Sequence, residues 1–271
     1  MSDITHQRVL EHCKRLYLGL IAQRLDGLLE EAAREDLTYL DFLDRTLAAE
    51  LASKAEKRVR MGIQIAHFPA QKTLEEFDFQ AQPSVDPRLV RELSTGRFVA
   101  NATNVLLFGP PGVGKTHLAI GLGRAVVAAG YTVLFVTATE LIAALDKAQS
   151  EGRLAEKVAQ YAKPKLLIID ELGYLPFEKR AAHLLFQLIV RRYERTATLI
   201  TTNQMVTQWG AVFGDEMIAA ALLDRLLHHS HTMLVTGDSY RLRQKRKAGL
   251  LGTTTQVTER RASHTNEGGQ I

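Results

Sequence analysis

One run of residues in this chain has the composition of a phosphate cradle. Residues 109–116 read Gly109, Pro110, Pro111, Gly112, Val113, Gly114, Lys115 and Thr116, the pattern G-x-x-x-x-G-K-[ST], with His117 next. Glycines in such a run let the backbone curl until successive N–H groups face phosphate oxygens. The Lys115 ammonium then reaches the β- and γ-phosphates of a nucleoside triphosphate, and the Thr116 hydroxyl ligates Mg²⁺. A second element, LLIIDE at residues 166–171, brings an acidic pair 55 residues beyond Lys115. An apolar strand here delivers Asp170 to its carboxyl end, where the same Mg²⁺ sits in a phosphate-loop fold. Glu171 follows. Because the strand is ending, it can turn toward the γ-phosphate as base or orienter of the attacking water. A third element is Asn203, behind the apolar run TLITT. Its amide either stands by the γ-phosphate and helps hold that water, or caps the helix that follows.

These groups need a scaffold that gathers strand ends. From about residue 100, short apolar runs alternate with longer amphipathic stretches. The runs occupy 104–109, 132–136, 165–170, 198–202 and 232–235. Each is nearly unalternating, as a strand buried on both faces reads. With helical stretches between them they predict an α/β fold, a parallel sheet flanked by helices. The phosphate-loop pattern sits in the required place, between the strand NVLLF and the helix THLAIGLGRAVVAAG, whose N-terminus adds its positive end.

Upstream, residues 1–67 read as a small all-helical N-terminal domain, a two-helix hairpin or small bundle, with apolar residues at helical spacing from Val9 to Leu29. Thr38 with Asp41 resembles a capping box before a further helix. Residues 68–99 read as a linker and entry helix, with Asp86 and Pro87 a good helix start. Residues 100–250 form the nucleotide domain. Residues 251–271 are polar, bury too little apolar surface to offset ordering entropy, and are expected to be disordered.

The formal net charge of +4 and pI of about 9.2 permit nucleic-acid contact without requiring it. No apolar run approaches the ~20 residues that span a bilayer. Residues 1–30 are charged and amphipathic rather than signal-like. The lone cysteine, Cys13, cannot form an internal disulfide. These features point to a cytoplasmic protein. His228, His229 and His231 have no Cys or acidic companion at a recognisable metal-site spacing. Trp209 and Phe213 share one helical face and read as core.

At this point the stretches GPPGVGKTHLA, LLIIDELGYLPF, LITTN and LLDRLLHHSH with GDSYRL carry a likeness. They resemble the AAA+ ATPases of the helicase-loader and DnaA-related group, and most of all the IstB-type helper ATPases of bacterial insertion sequences. The likeness runs from about residue 4 to residue 250. It implies a P-loop AAA+ sheet using ATP and Mg²⁺. It implies a sensor role for Asn203, an arginine finger acting on a neighbouring subunit's ATP for Arg225, and a second sensor for Arg241. Without the family, both arginines read as solvated charges. A finger in trans implies a homo-oligomer, formed with ATP and DNA. Phe77 and Phe79 fall in the segment that in this family often lies against the adenine; packing in the core is an equal reading.

Duplex DNA as partner is likewise implied by the resemblance more than by composition. The candidate contacts are Lys57, Arg58 and Arg60; Lys147, Arg153 and Lys157; and Lys245, Arg246 and Lys247. No base-reading motif accompanies them, so binding is expected to be sequence-independent and sensitive to salt. The function implied is an ATPase that oligomerises on target DNA and assists a cognate transposase. The alternatives are a replicative helicase loader of the DnaC type and a nucleotide-gated scaffold with negligible turnover. Glu171 and Arg225 argue against the scaffold, which needs neither.

Overall fold

The five apolar runs become the five strands of one parallel sheet. In the computed structural model, which describes residues 3–174 and 177–240, these are β1 (Asn104–Phe108), β2 (Val133–Thr137), β3 (Leu166–Leu172), β4 (Ala197–Thr202) and β5 (Ser230–Leu234). Their spatial order is β2-β3-β4-β1-β5. The strand behind Asn203 therefore lies directly beside the strand that carries Asp170 and Glu171. Alternate residues leave the sheet on opposite sides. Val105, Leu107, Ile168 and Leu199 enter one apolar layer, and Leu106, Leu167, Ile169 and Ile200 enter the other.

The first layer is closed by α6 (Lys115–Ala128), through Leu118, Leu122 and Val126, together with α4 (Pro87–Ser94) and the short α5 (Arg97–Ala100). Asp86 caps α4 by accepting from the Arg88 N–H at 2.8 Å, with Pro87 in the first turn as expected. The second layer is closed by α7 (Ala138–Ser150), α8 (Leu154–Ala162), α9 (Lys179–Arg192), α10 (Trp209–Phe213) and α11 (Glu216–Leu227). Trp209 and Phe213 are core residues of this layer, their rings 5.5 Å apart.

The N-terminal region holds three helices, α1 (Asp3–Arg15), α2 (Gly19–Arg34) and α3 (Tyr39–Ile65). The apolar spacing that ran on from Val9 to Leu29 is broken at Tyr17, whose φ of 56° ends α1. Cys13, Ile21 and Leu25 form the small core between α1 and α2. Glu50 of α3 is buried and accepts the Ile21 N–H at 3.0 Å, filling a free donor at the start of α2. Thr38 caps α3 by accepting from the Asp41 N–H.

The far end of α3 packs on the sheet domain. Val59 and Ile63 lie against the first layer, and the Ala66 carbonyl accepts from Phe135 N–H at 2.8 Å, extending the edge at β2. The segment expected to be a linker is pressed onto the same layer, with Phe77, Gln82 and Val85 all buried. Among the described residues, no helix is long and apolar enough to cross a membrane.

Candidate functional site

The phosphate loop joins β1 to α6, and its glycines are needed for space as well as shape. Gly109 has φ 147°, and a Cβ there would stand 2.0 Å from the Val235 carbonyl oxygen. Gly114 precedes α6 at φ 105°, with Phe77 edge-on where a side chain would go. Only glycine fits both positions without backbone movement. Pro110 and Pro111 continue the loop. Val113 is buried, and its carbonyl accepts from Gln82 Nε2 at 2.7 Å, so the preceding segment holds the loop from outside. Lys115 is almost buried and donates to the Gly109 and Pro110 carbonyls at 2.6 and 2.8 Å.

Asp170 stands across from the loop at the end of β3 and is also buried. Thr116 Oγ1 lies 3.1 Å from both its carboxylate oxygens, and Thr201 Oγ1 donates to Oδ1 at 2.5 Å. Burial pushes the Asp170 pKa up; the Thr201 and Thr116 hydroxyls and the Lys115 charge act in the opposite sense. A buried carboxylate beside a threonine hydroxyl is a hard-oxygen donor set, which fits Mg²⁺.

Glu171 does not continue the pleat. It sits at φ 60°, where β3 slips register against β4 between Ile169 and Leu172. Non-glycine residues pay for that conformation, and such strain collects at functional positions. The bulge turns Glu171 into a cavity of about 130 Å³ shared with Lys115, Thr116, Thr201 and Asn203. Its backbone N–H is held by Thr201 Oγ1 at 2.9 Å. Thr201 thus grips both acidic residues at once, and the sequence reading missed it.

Asn203 lies at the end of β4 with its Oδ1 buried and without a hydrogen-bond partner. The alternative of a helix cap does not describe it. Gln208 accepts the Met205 N–H and Thr202 accepts the Gln204 N–H, so that turn is satisfied without Asn203. On the other side of the loop, Phe77, Gln82, Val113, His117 and Tyr240 line a second cavity of about 390 Å³. Phe77 packs edge-on against both Phe79 and His117, at 4.9 and 5.3 Å, and His117 Nε2 lies 2.7 Å from the Thr73 carbonyl.

Arg225 is in the wall of neither cavity. It sits on α11, donates to the Ala221 carbonyl and lies 5.0 Å over the Phe186 ring. Arg241 falls outside the described residues, as do Lys245, Arg246, Lys247 and the tail at 251–271. Lys57, Arg58 and Arg60 are exposed on α3. Lys147, Arg153 and Lys157 come together around a pocket between α7 and α8, but Glu151 and Glu156 share it. Arg153 pairs with Glu151, while Lys157 bonds Gln160 and lies over Tyr161.

The sheet order, the loop between β1 and α6 and the acidic residues at the end of β3 define a P-loop nucleotide-binding protein with the AAA+ fold. The same fold appears in the crystal structure of a DNA replication initiation factor, at TM-score 0.54 and 18% identity over 66% of this chain and 54% of that one. It appears again in AMPPCP-bound DnaA from Aquifex aeolicus, at TM-score 0.51 and 21% identity over 69% and 58%. The chain spans little more than half of either structure.

The family is narrower than the fold. Residues 11–248 match the model of the IstB-like ATP binding proteins, and the chain belongs to that family. It is 45% identical to the ATP-binding protein of insertion sequence IS5376 from Geobacillus stearothermophilus, over 89% of this chain and 96% of that protein. It is 46% identical to that of IS21 from Pseudomonas aeruginosa, over 89% and 91%. The resemblance drawn from the motifs is thereby borne out.

Proposed function

We propose that this protein is a cytoplasmic ATPase that assembles with its own copies on duplex DNA and assists a cognate transposase. The observation that carries the reading is the state of the polar groups around Lys115. Asp170 is a desolvated carboxylate, Glu171 is held at a strained φ, and Asn203 Oδ1 has no partner, all at adjoining strand ends. These are groups that an arriving ligand completes.

In this reading the loop N–H groups and Lys115 hold the β- and γ-phosphates of ATP. Thr116 and Asp170 hold Mg²⁺, which neutralises phosphate charge when bound. Glu171 orients the attacking water and accepts its proton, with Asn203 fixing the water from the other side. Arg225 lines neither cavity of its own cleft, which supports its acting on a neighbour's ATP. The second-sensor role of Arg241 rests on the family resemblance alone.

The DNA contact is assigned first to Lys57, Arg58 and Arg60 on α3. The Lys147, Arg153 and Lys157 group is interleaved with acids and carries less net positive charge. The insertion-sequence context of the relatives supports a transposase as partner over helicase loading.

The test is sedimentation with ATP and random-sequence duplex DNA. Wild type should form large ATP-dependent complexes. Arg225→Ala should lose them, together with about 10³-fold or more of its phosphate release, while still binding ATP. Glu171→Gln should keep the complexes and release phosphate far more slowly. A wild-type chain that stays monomeric and ignores duplex DNA would overturn the reading.

A further inference from the structure

A second group of ligating side chains lies outside the nucleotide cleft. Glu194 sits in the loop between α9 and β4, at φ 56°, while His228 caps the end of α11 and His229 leads into β5. The sequence offered no acidic companion for these histidines because Glu194 stands 34 residues before His228. The fold closes that gap. His228 Nδ1 lies 3.6 Å and His229 Nε2 3.9 Å from the same Glu194 oxygen. The three donor atoms all fall within 4.8 Å of one another.

Two imidazoles and a carboxylate are the donor set of a zinc-class ion, not of Mg²⁺, which prefers an all-oxygen shell. Bonds of about 2.1 Å in a tetrahedron separate donors by about 3.4 Å. Both measured edges come within about half an ångström of that separation, a shift that a small rotation of exposed side chains supplies. The imidazole ring centroids are 4.2 Å apart and their planes are tilted by 45°. All three side chains are about half exposed, which gives an ion its entry path and leaves a position for water. The Tyr193 hydroxyl lies 2.8 Å from His228 Nδ1 and orients that ring in the ion's absence.

We propose that Glu194, His228 and His229 form a three-ligand site for a zinc-class divalent ion, with water as the fourth ligand. His228 follows Arg225 by three residues on the same helix end. A bound ion therefore ties the end of α11 that carries Arg225 to the loop between α9 and β4. An ion held there binds the folded chain and not the unfolded one, so it raises the melting temperature.

The test uses the full chain, stripped with chelator and free of ATP, Mg²⁺ and DNA, so its outcome is independent of the ATPase reading. Zinc is titrated calorimetrically, and Co²⁺ is followed by its visible absorption as a probe of tetrahedral geometry. Wild type should bind one zinc that the double variant His228→Ala, His229→Ala binds about tenfold or more weakly, and zinc should raise the melting temperature of wild type only. Glu194→Gln should weaken binding as well. Tyr193→Phe, which removes the competing hydroxyl, should bind at least as tightly as wild type. No binding by wild type at about 100 µM zinc, or equal affinity in the double variant, would overturn the site. The Glu194, His228 and His229 side chains are exposed and Tyr193 is partly buried, and unchanged circular dichroism spectra would establish that the variants fold.

Discussion

The two ends of the β3–β4 strand pair each bury a charge and treat it in opposite ways. At the amino ends of the strands, Arg192 from α9 is 1% exposed. It donates to the carbonyls of Tyr161, Ala162, Pro164 and Ala197 and to the Thr198 hydroxyl. At the carboxyl ends, Asp170 is 4% exposed and accepts from two threonine hydroxyls. Burial acts on both, lowering the Arg192 pKa to about 9 and raising that of Asp170. Arg192 nevertheless has its donors committed in a fan of carbonyls that also closes the end of α8. Asp170 keeps lone pairs and negative charge to spare. The first is a charge used up in holding the fold together, and the second is a charge held ready for a ligand.

If this contrast is right, the largest effect on stability comes from Arg192. Arg192→Met keeps the apolar stem but takes the guanidinium donors from four carbonyls at a helix end and a strand start. The expected loss is about 3–5 kcal/mol by urea denaturation, since orphaned buried polar groups cost more than the bonds were worth. Arg192→Lys should recover only part of it, because one ammonium does not span the guanidinium's fork. A Met variant within about 1 kcal/mol of wild type would remove the structural half of the comparison.

The next effect belongs to Thr201, which joins Asp170 to Glu171. Thr201→Val preserves shape, removes the hydroxyl from Asp170 and leaves the Glu171 N–H without its partner. Loss of such a supporting bond typically costs about 10–100-fold, and it should fall on kcat for ATP hydrolysis with little change in KM. Thr201→Ser should restore most of the rate. If Ser is as slow as Val, the hydroxyl is not what positions the acids.

Much of the cleft was legible because its chemistry is written in contiguous residues. The run from Gly109 to Thr116 and the strand ending at Asp170 are local patterns, and the flanking apolar runs became the strands they resembled. What escaped was set by contacts across the sheet. Thr201 looks like the end of an apolar run until β4 is known to lie beside β3 with a slipped register. Arg192 follows Arg191 and reads as one more solvated cation until α8 folds over it. Glu194 and His228 share no spacing that a sequence rule recognises. The break at Tyr17 was missed because neither glycine nor proline marks it, and the apolar spacing runs through it.

The smallest predicted effect is the most discriminating, because its sign is unusual. Asp170 has a folded pKa above its ordinary value, so in the intermediate range the folded chain holds a proton that the unfolded chain has released. Stability on account of this group therefore falls as pH rises from the ordinary aspartate range, and the penalty is complete once pH has passed the raised folded value. Asp170→Asn removes that penalty while an amide oxygen still accepts from Thr116 and Thr201. By urea denaturation in chelator, the variant should be more stable than wild type at a pH above the raised folded value, and the gain should vanish below the ordinary aspartate pKa. Mg²⁺ with a non-hydrolysable ATP analogue should narrow or reverse the difference, because the ligand stabilises a carboxylate and not an amide. Hydrolysis should be lost throughout. A variant less stable than wild type in chelator would mean that Asp170 is satisfied as it stands, as Arg192 is, and the two ends of the strand pair would no longer differ in kind.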